Sequence, residues 1–83
     1  MNYSKIRLLV DESTIRQHLA EADEHIATAE ARITRQREIV AKCSAAGRST
    51  EEAEELLAGL TAALKTMLQI RQQSLAELSD EET

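Results

Sequence analysis

From Ile15 to Cys43 the apolar and small residues advance by alternating steps of four and three: Ile15, Leu19, Ala22, Ile26, Ala29, Ile33, Gln36, Val40 and Cys43. A strand repeats every two residues and a solitary amphipathic helix every 3.6. This stepping averages 3.5, the period of a helix whose seam stays against a neighbouring helix. It is sustained for about four heptads, and only Gln36 interrupts its apolar character. No proline occurs among the 83 residues, so the commonest helix breaker is missing. A fold built on aromatic layers is excluded, because Tyr3 is the sole aromatic residue. Ala, Leu, Glu, Arg and Gln dominate the remainder, and these side chains lose little rotamer freedom in a helix.

The seam alternates in size. Leu19, Ile26, Ile33 and Val40 form one row, with Ile15 preceding it, and Ala22, Ala29, Gln36 and Cys43 form the other. Small side chains let a partner helix approach closely, which favours an antiparallel neighbour with large residues opposite the small ones. That neighbour is supplied by the same chain. In "KCSAAGRSTEEAEELL" (42–57), Gly47 can take the left-handed conformation that ends a helix. Ser49 or Thr50 then caps the next one, with Ser49 and Glu52 at capping-box spacing. Glu51, Glu52, Glu54 and Glu55 follow where the helix dipole favours negative charge.

The expected organisation is an N-terminal arm (1–11), a helix over about 13–46, a turn at 47–49, a helix over about 50–79 and an acidic tail (80–83). Asp11, Ser13 and Thr14 are the N-cap candidates for the first helix, and "KIRLLV" in the arm reads equally as a short strand or a helical turn. At 1.5 Å per residue the two helices come out nearly matched, at roughly 45–50 Å. Folding at Gly47 sets Val40 near Leu57, Ile33 near Leu64, Ala29 near Met67 or Leu68, and Leu19 near Leu78. It also places Arg32, Arg35, Arg37, Lys42 and Arg48 beside the glutamates that open the second helix, a register preference rather than a source of stability.

The second helix is wider in its apolar content than one partner can cover. Leu56, Leu60, Ala63, Met67 and Ile70 form the excess and are the expected interface residues. A two-helix chain of this size rarely stands alone without a metal, a disulfide or a partner. The fold class that follows is an all-α, coiled-coil-like antiparallel hairpin paired into a dimeric four-helix bundle.

Charge and motif content narrow the function. The net charge is −5 and Tyr3 is the one aromatic residue that could stack on a base, which argues against nucleic acid as the main partner despite "RITRQREIVAK". No apolar run reaches the roughly 20 residues of a membrane span, no signal-peptide core is recognisable, and the lone Cys43 demands no oxidising compartment. A cytoplasmic protein is expected. Cys43 continues the small-residue row and reads as a small hydrophobe rather than a redox thiol. His18 and His25 lie seven residues apart with Glu21 between, a spacing that bundles use for metals and that also arises from two histidines flanking a seam. Neither His has a neighbouring pattern suited to phosphotransfer, and no nucleophile–base pair is present. The chain is therefore expected to be no enzyme, to need no cofactor and to bind no metal. His18, Glu21 and His25 are the candidates for an alternative metal- or small-ligand-binding bundle. Gln36 is expected to fix register at some cost in stability. Leu8, Leu9 and Val10 are candidates to dock on the bundle or extend a partner's sheet.

Over roughly residues 19–72 the chain resembles a group of short uncharacterised helical-hairpin proteins of alphaproteobacteria, rhizobial in type. The resemblance rests on His25, Arg35-Gln36-Arg37 with Ile39-Val40, Gly47-Arg48-Ser49-Thr50, and Glu52-Ala53-Glu54 with Leu56-Leu57. It departs at Gly59, where relatives often carry an aromatic residue, and in the absence of a histidine from the second helix. The resemblance implies a hairpin fold and a bacterial origin. The functional expectation is a non-enzymatic interaction or structural protein, a homodimer that also presents a helix face to a further protein partner.

Overall fold

The computed structural model describes the backbone of residues 2–82 and the side chains of residues 12–79. It contains two helices, α1 (Asn2–Ala45) and α2 (Glu51–Glu82), with no strand among the described residues. They fold back on each other as an extended hairpin, 67 × 17 × 15 Å. The long dimension matches α1 itself, since 44 residues at 1.5 Å each span about 66 Å.

Two boundaries differ from the sequence expectation. α1 starts at Asn2, not near residue 13, so the stretch set apart as an arm continues the helix. No Gly or Pro lies between residues 2 and 46 to interrupt it, and Ser13 and Thr14 are exposed positions within the helix instead of caps. The helices are consequently unequal, 44 residues against 32, and not a matched pair. α2 runs on to Glu82, through most of the expected acidic tail. The side chains of Leu8, Leu9, Val10 and Asp11 lie outside the described residues, as do those of the tail.

The turn closes by backbone chemistry. Gly47 has φ 70°, left-handed as expected. Its N–H donates to the Ser44 carbonyl at 3.1 Å, and the Arg48 N–H donates to the Cys43 carbonyl at 2.9 Å. These two bonds make a Schellman motif, which satisfies carbonyls that the end of a helix would otherwise leave unpaired. Thr50 is the N-cap of α2, its carbonyl accepting the first helical bond from Glu54 at 2.8 Å. The Ser49 hydroxyl accepts from the Glu51 N–H at 3.4 Å, one residue short of the Glu52 contact that a capping box requires.

Burial follows the stepping read from α1. Ile15, Ile26, Ala29, Ile33 and Gln36 are buried, and Leu19, Ala22, Val40 and Cys43 are half-buried. α2 and its N-cap answer with their own row in steps of three and four: Thr50, Ala53, Leu57, Leu60, Leu64, Met67, Arg71, Ser74 and Leu78, all half-buried. Ile33 and Leu64 line one cleft and Ala29 and Met67 another, in agreement with the expected pairing. Leu68 stays exposed.

Polar ties between the helices are few among the described residues. The Gln36 Nε2 donates to the Ala53 carbonyl at 2.9 Å. Arg71 Nε meets Asp23 Oδ1 at 2.6 Å. The arginine cluster before the turn makes no ion pair with the α2 glutamates among the described residues. Long side chains at exposed positions gain little from such pairs and lose rotamer freedom in making them.

Candidate functional site

The residues proposed for metal binding are not gathered into a site. His18, Glu21 and His25 are all exposed on α1. The two histidines are separated by seven residues, about 10.5 Å of helical rise, far more than a single ion with bonds near 2.1 Å spans between imidazoles on adjacent turns. The Glu21 carboxylate instead accepts a hydrogen bond from the Gln17 amide at 3.3 Å. Among the described residues no three His, Cys, Asp or Glu side chains are close enough to hold a metal ion. Cys43 is a free, half-buried thiol on the α1 seam.

Apolar surface is what the hairpin presents. α2 carries the seam already described, and flanking it on one side stand Leu56, Ala63 and Ile70, each seven residues apart and all exposed. Leu56 is 55% exposed and Ile70 54%, values more typical of a charged residue than of a large aliphatic one. Of the five expected interface residues, Leu60 and Met67 are thus already half-covered by α1, and the free part is the narrower stripe 56–63–70. Beside it runs a groove of about 260 Å³ lined by His25, Thr28, Ala29 and Arg32 from α1 and by Leu60, Ala63 and Met67 from α2. Its floor is apolar and its α1 edge is basic. On the opposite flank Leu68 is 48% exposed within a shallower depression of about 420 Å³, shared with Thr61, Leu64, Lys65, Gln69 and Gln72. A further depression of about 600 Å³ lies at the turn, lined by Arg48, Ser49 and Thr50 and by Glu51, Glu54, Glu55 and Ala58 at the start of α2.

No family model matches the chain, and no curated protein or solved structure matches it. The functional reading therefore rests on surface chemistry alone. No helix among the described residues is long and apolar enough to cross a membrane.

Two features escaped the sequence reading. Arg71 and Ser74 occupy seam positions of α2 that apolar counting passes over. The signal was present, since continuing steps of three and four from Ala53 reaches both. The additional leucines at 56, 68 and 75 obscured it. The Gln36 contact with the Ala53 backbone was equally hidden, because a carbonyl acceptor leaves no trace in the sequence.

Proposed function

We propose that this chain is a non-enzymatic interaction or structural protein, bacterial and cytoplasmic, that acts by pairing with a second copy through the outer stripe of α2. Two hairpins then form a coiled-coil-like four-helix bundle, and the faces left outside it serve a further protein partner.

One observation carries this reading. The chain exposes 6600 Å² of surface, whereas a compact monomer of 9.2 kDa exposes about 4,900 Å² by the usual scaling with mass. The excess, on the order of 1,700 Å², is about twice the ~800 Å² that each partner contributes to a standard interface. In keeping with this, no described side chain is exposed by less than 2%. The exposed Leu56 and Ile70 place part of the excess on α2, where burial is most favourable per unit area.

Light scattering over a concentration series, with and without zinc, tests the proposal. A two-chain mass that ignores zinc supports it. A one-chain mass at tens of micromolar, together with cooperative unfolding, overturns it. A stripe variant, Leu56→Glu with Ile70→Glu, sharpens the result: its helical circular dichroism should persist while the mass halves.

A further inference from the structure

Resting on that pairing, we infer that the second copy lies antiparallel to the first, about a two-fold axis crossing α2 beside Ala63. Leu56 of one copy then meets Ile70 of the other.

The stripe is laid out for such an axis. A two-fold interface brings one patch against itself, so the patch must complement its own reverse. Leu56 and Ile70 stand seven residues to either side of Ala63 and are almost equally exposed, at 55% and 54%. Ala63 is exposed and small, which lets two backbones approach closely at the centre.

Charge selects the direction. α2 opens with Glu51, Glu52 and Glu54 in its first turn. A parallel pair would set these acidic ends side by side, like against like, and would align the helix dipoles unfavourably. In the antiparallel pair the two Glu52 positions lie about 33 Å apart along the axis at 1.5 Å per residue, beyond the screening length of physiological salt. Each acidic opening instead falls at the level of the other copy's Arg71. On α1 that level is marked by Asp23, which bonds Arg71, with His25 at the basic edge of the neighbouring groove.

Thiol cross-linking in a Cys43→Ser background tests the geometry. A disulfide needs Cα atoms within roughly 7 Å. In the antiparallel pair two copies of residue 56 are separated by about 21 Å of rise, and two copies of residue 63 are in contact. The Ala63→Cys variant should therefore cross-link. Leu56→Cys and Ile70→Cys should each fail alone, while a mixture of the two should cross-link about tenfold faster than either, because the interface raises the effective thiol concentration. Rapid cross-linking of Leu56→Cys alone would overturn the inference in favour of a parallel pair. Absence of cross-linking in any sample that light scattering shows to be two-chain would place the contact on another face and overturn it too. A one-chain mass for the wild-type protein would instead remove the pairing itself. A spin label on the Leu56→Cys variant gives a second readout: an inter-label distance of about 20 Å is expected, and direct contact would contradict it.

Discussion

α1 and α2 are made from the same helix-forming residues, yet they are covered very differently. The five side chains exposed by 9% or less, Ile15, Ile26, Ala29, Ile33 and Gln36, all belong to α1. Among the described residues α2 contributes none. The difference comes from the flanks of each seam. On α1 the seam is bordered by His18, His25, Arg32 and, near the turn, the exposed Ile39 on one side, and by Arg16, Asp23, Glu30 and Arg37 on the other. On α2 it is bordered by Leu56, Ala63 and Ile70 on one side and by Thr61, Leu68 and Leu75 on the other. A narrow apolar ridge lies in a broad apolar face. The face closes over the ridge, but nothing in the hairpin closes over the face. Apolar content alone does not decide burial in a two-helix chain; the width of each face relative to its partner does.

The largest expected effect tests that contrast directly. Ile33, 4% exposed, is the most enclosed side chain described. Ile33→Ala should lower unfolding free energy by about 2–5 kcal/mol, the usual cost of an emptied aliphatic site. Leu56→Ala, measured at the same dilute concentration, should change it by no more than about 0.5 kcal/mol. Urea melts at fixed protein concentration compare the two, since association adds to apparent stability. Equal losses would mean that the ridge and the face are not differently covered after all.

The two glycines form a smaller version of the comparison. Gly47 sits at φ 70°, where an L side chain strains the backbone although nothing stands within 4 Å of the position a Cβ would take. Gly47→Ala should cost about 1–2 kcal/mol. Gly59 has the same open surroundings and an ordinary φ inside α2. Gly59→Ala should therefore stabilise the helix by about 0.5–1 kcal/mol. Thermal melts of the two variants should move in opposite directions. A loss from both would indicate that Gly59 is approached closely by a second chain.

These comparisons also show what the sequence made legible. The α1 seam was readable residue by residue, because its flanks are polar or charged at every level except Ile39 and so leave one choice of apolar stripe. The turn was readable because Gly47 is the one residue between two long helical runs that tolerates its backbone conformation. On α2 the seam was not readable from apolar residues alone: leucines on both flanks compete with it, and Arg71 and Ser74 stand within it. The start of α1 was misplaced because residues that favour caps, Ser13 and Thr14, are also tolerated inside a helix when nothing else breaks it. Of the expected interface residues, Leu56, Ala63 and Ile70 are exposed on the hairpin, whereas Leu60 and Met67 are half-buried in its seam.

Gln36 makes the α1 seam less uniform than its apolar neighbours require. Its amide donates to the Ala53 carbonyl, an acceptor that the α2 helix also uses. Gln36→Leu leaves no donor or acceptor stranded at that carbonyl and adds apolar burial, so it should raise stability by about 1 kcal/mol. It should also broaden the distribution of oligomers, since the polar contact favours one register. Light scattering with a parallel melt separates the two effects. A stabilised variant with a single sharp mass would show that register is held elsewhere, at the turn or by Arg71.

The smallest effect belongs to the Arg71–Asp23 pair, and it bears on which part of α2 a second copy covers. The side chains are 37% and 58% exposed, respectively, so water and salt screen the 2.6 Å contact. Asp23→Asn should cost between 0 and about 1 kcal/mol in the dilute hairpin, and the loss should shrink further in high salt. In the proposed antiparallel pair the second copy's α2 opening lies at the level of Arg71, which would add acidic groups near the guanidinium. Removing Asp23 should then cost less than it does at dilution, because Arg71 gains other carboxylates. Urea melts of wild type and Asp23→Asn at low and high protein concentration measure the difference. A loss that grows with concentration would mean that the pair is desolvated by a neighbour lacking acidic groups there, which the antiparallel arrangement does not allow.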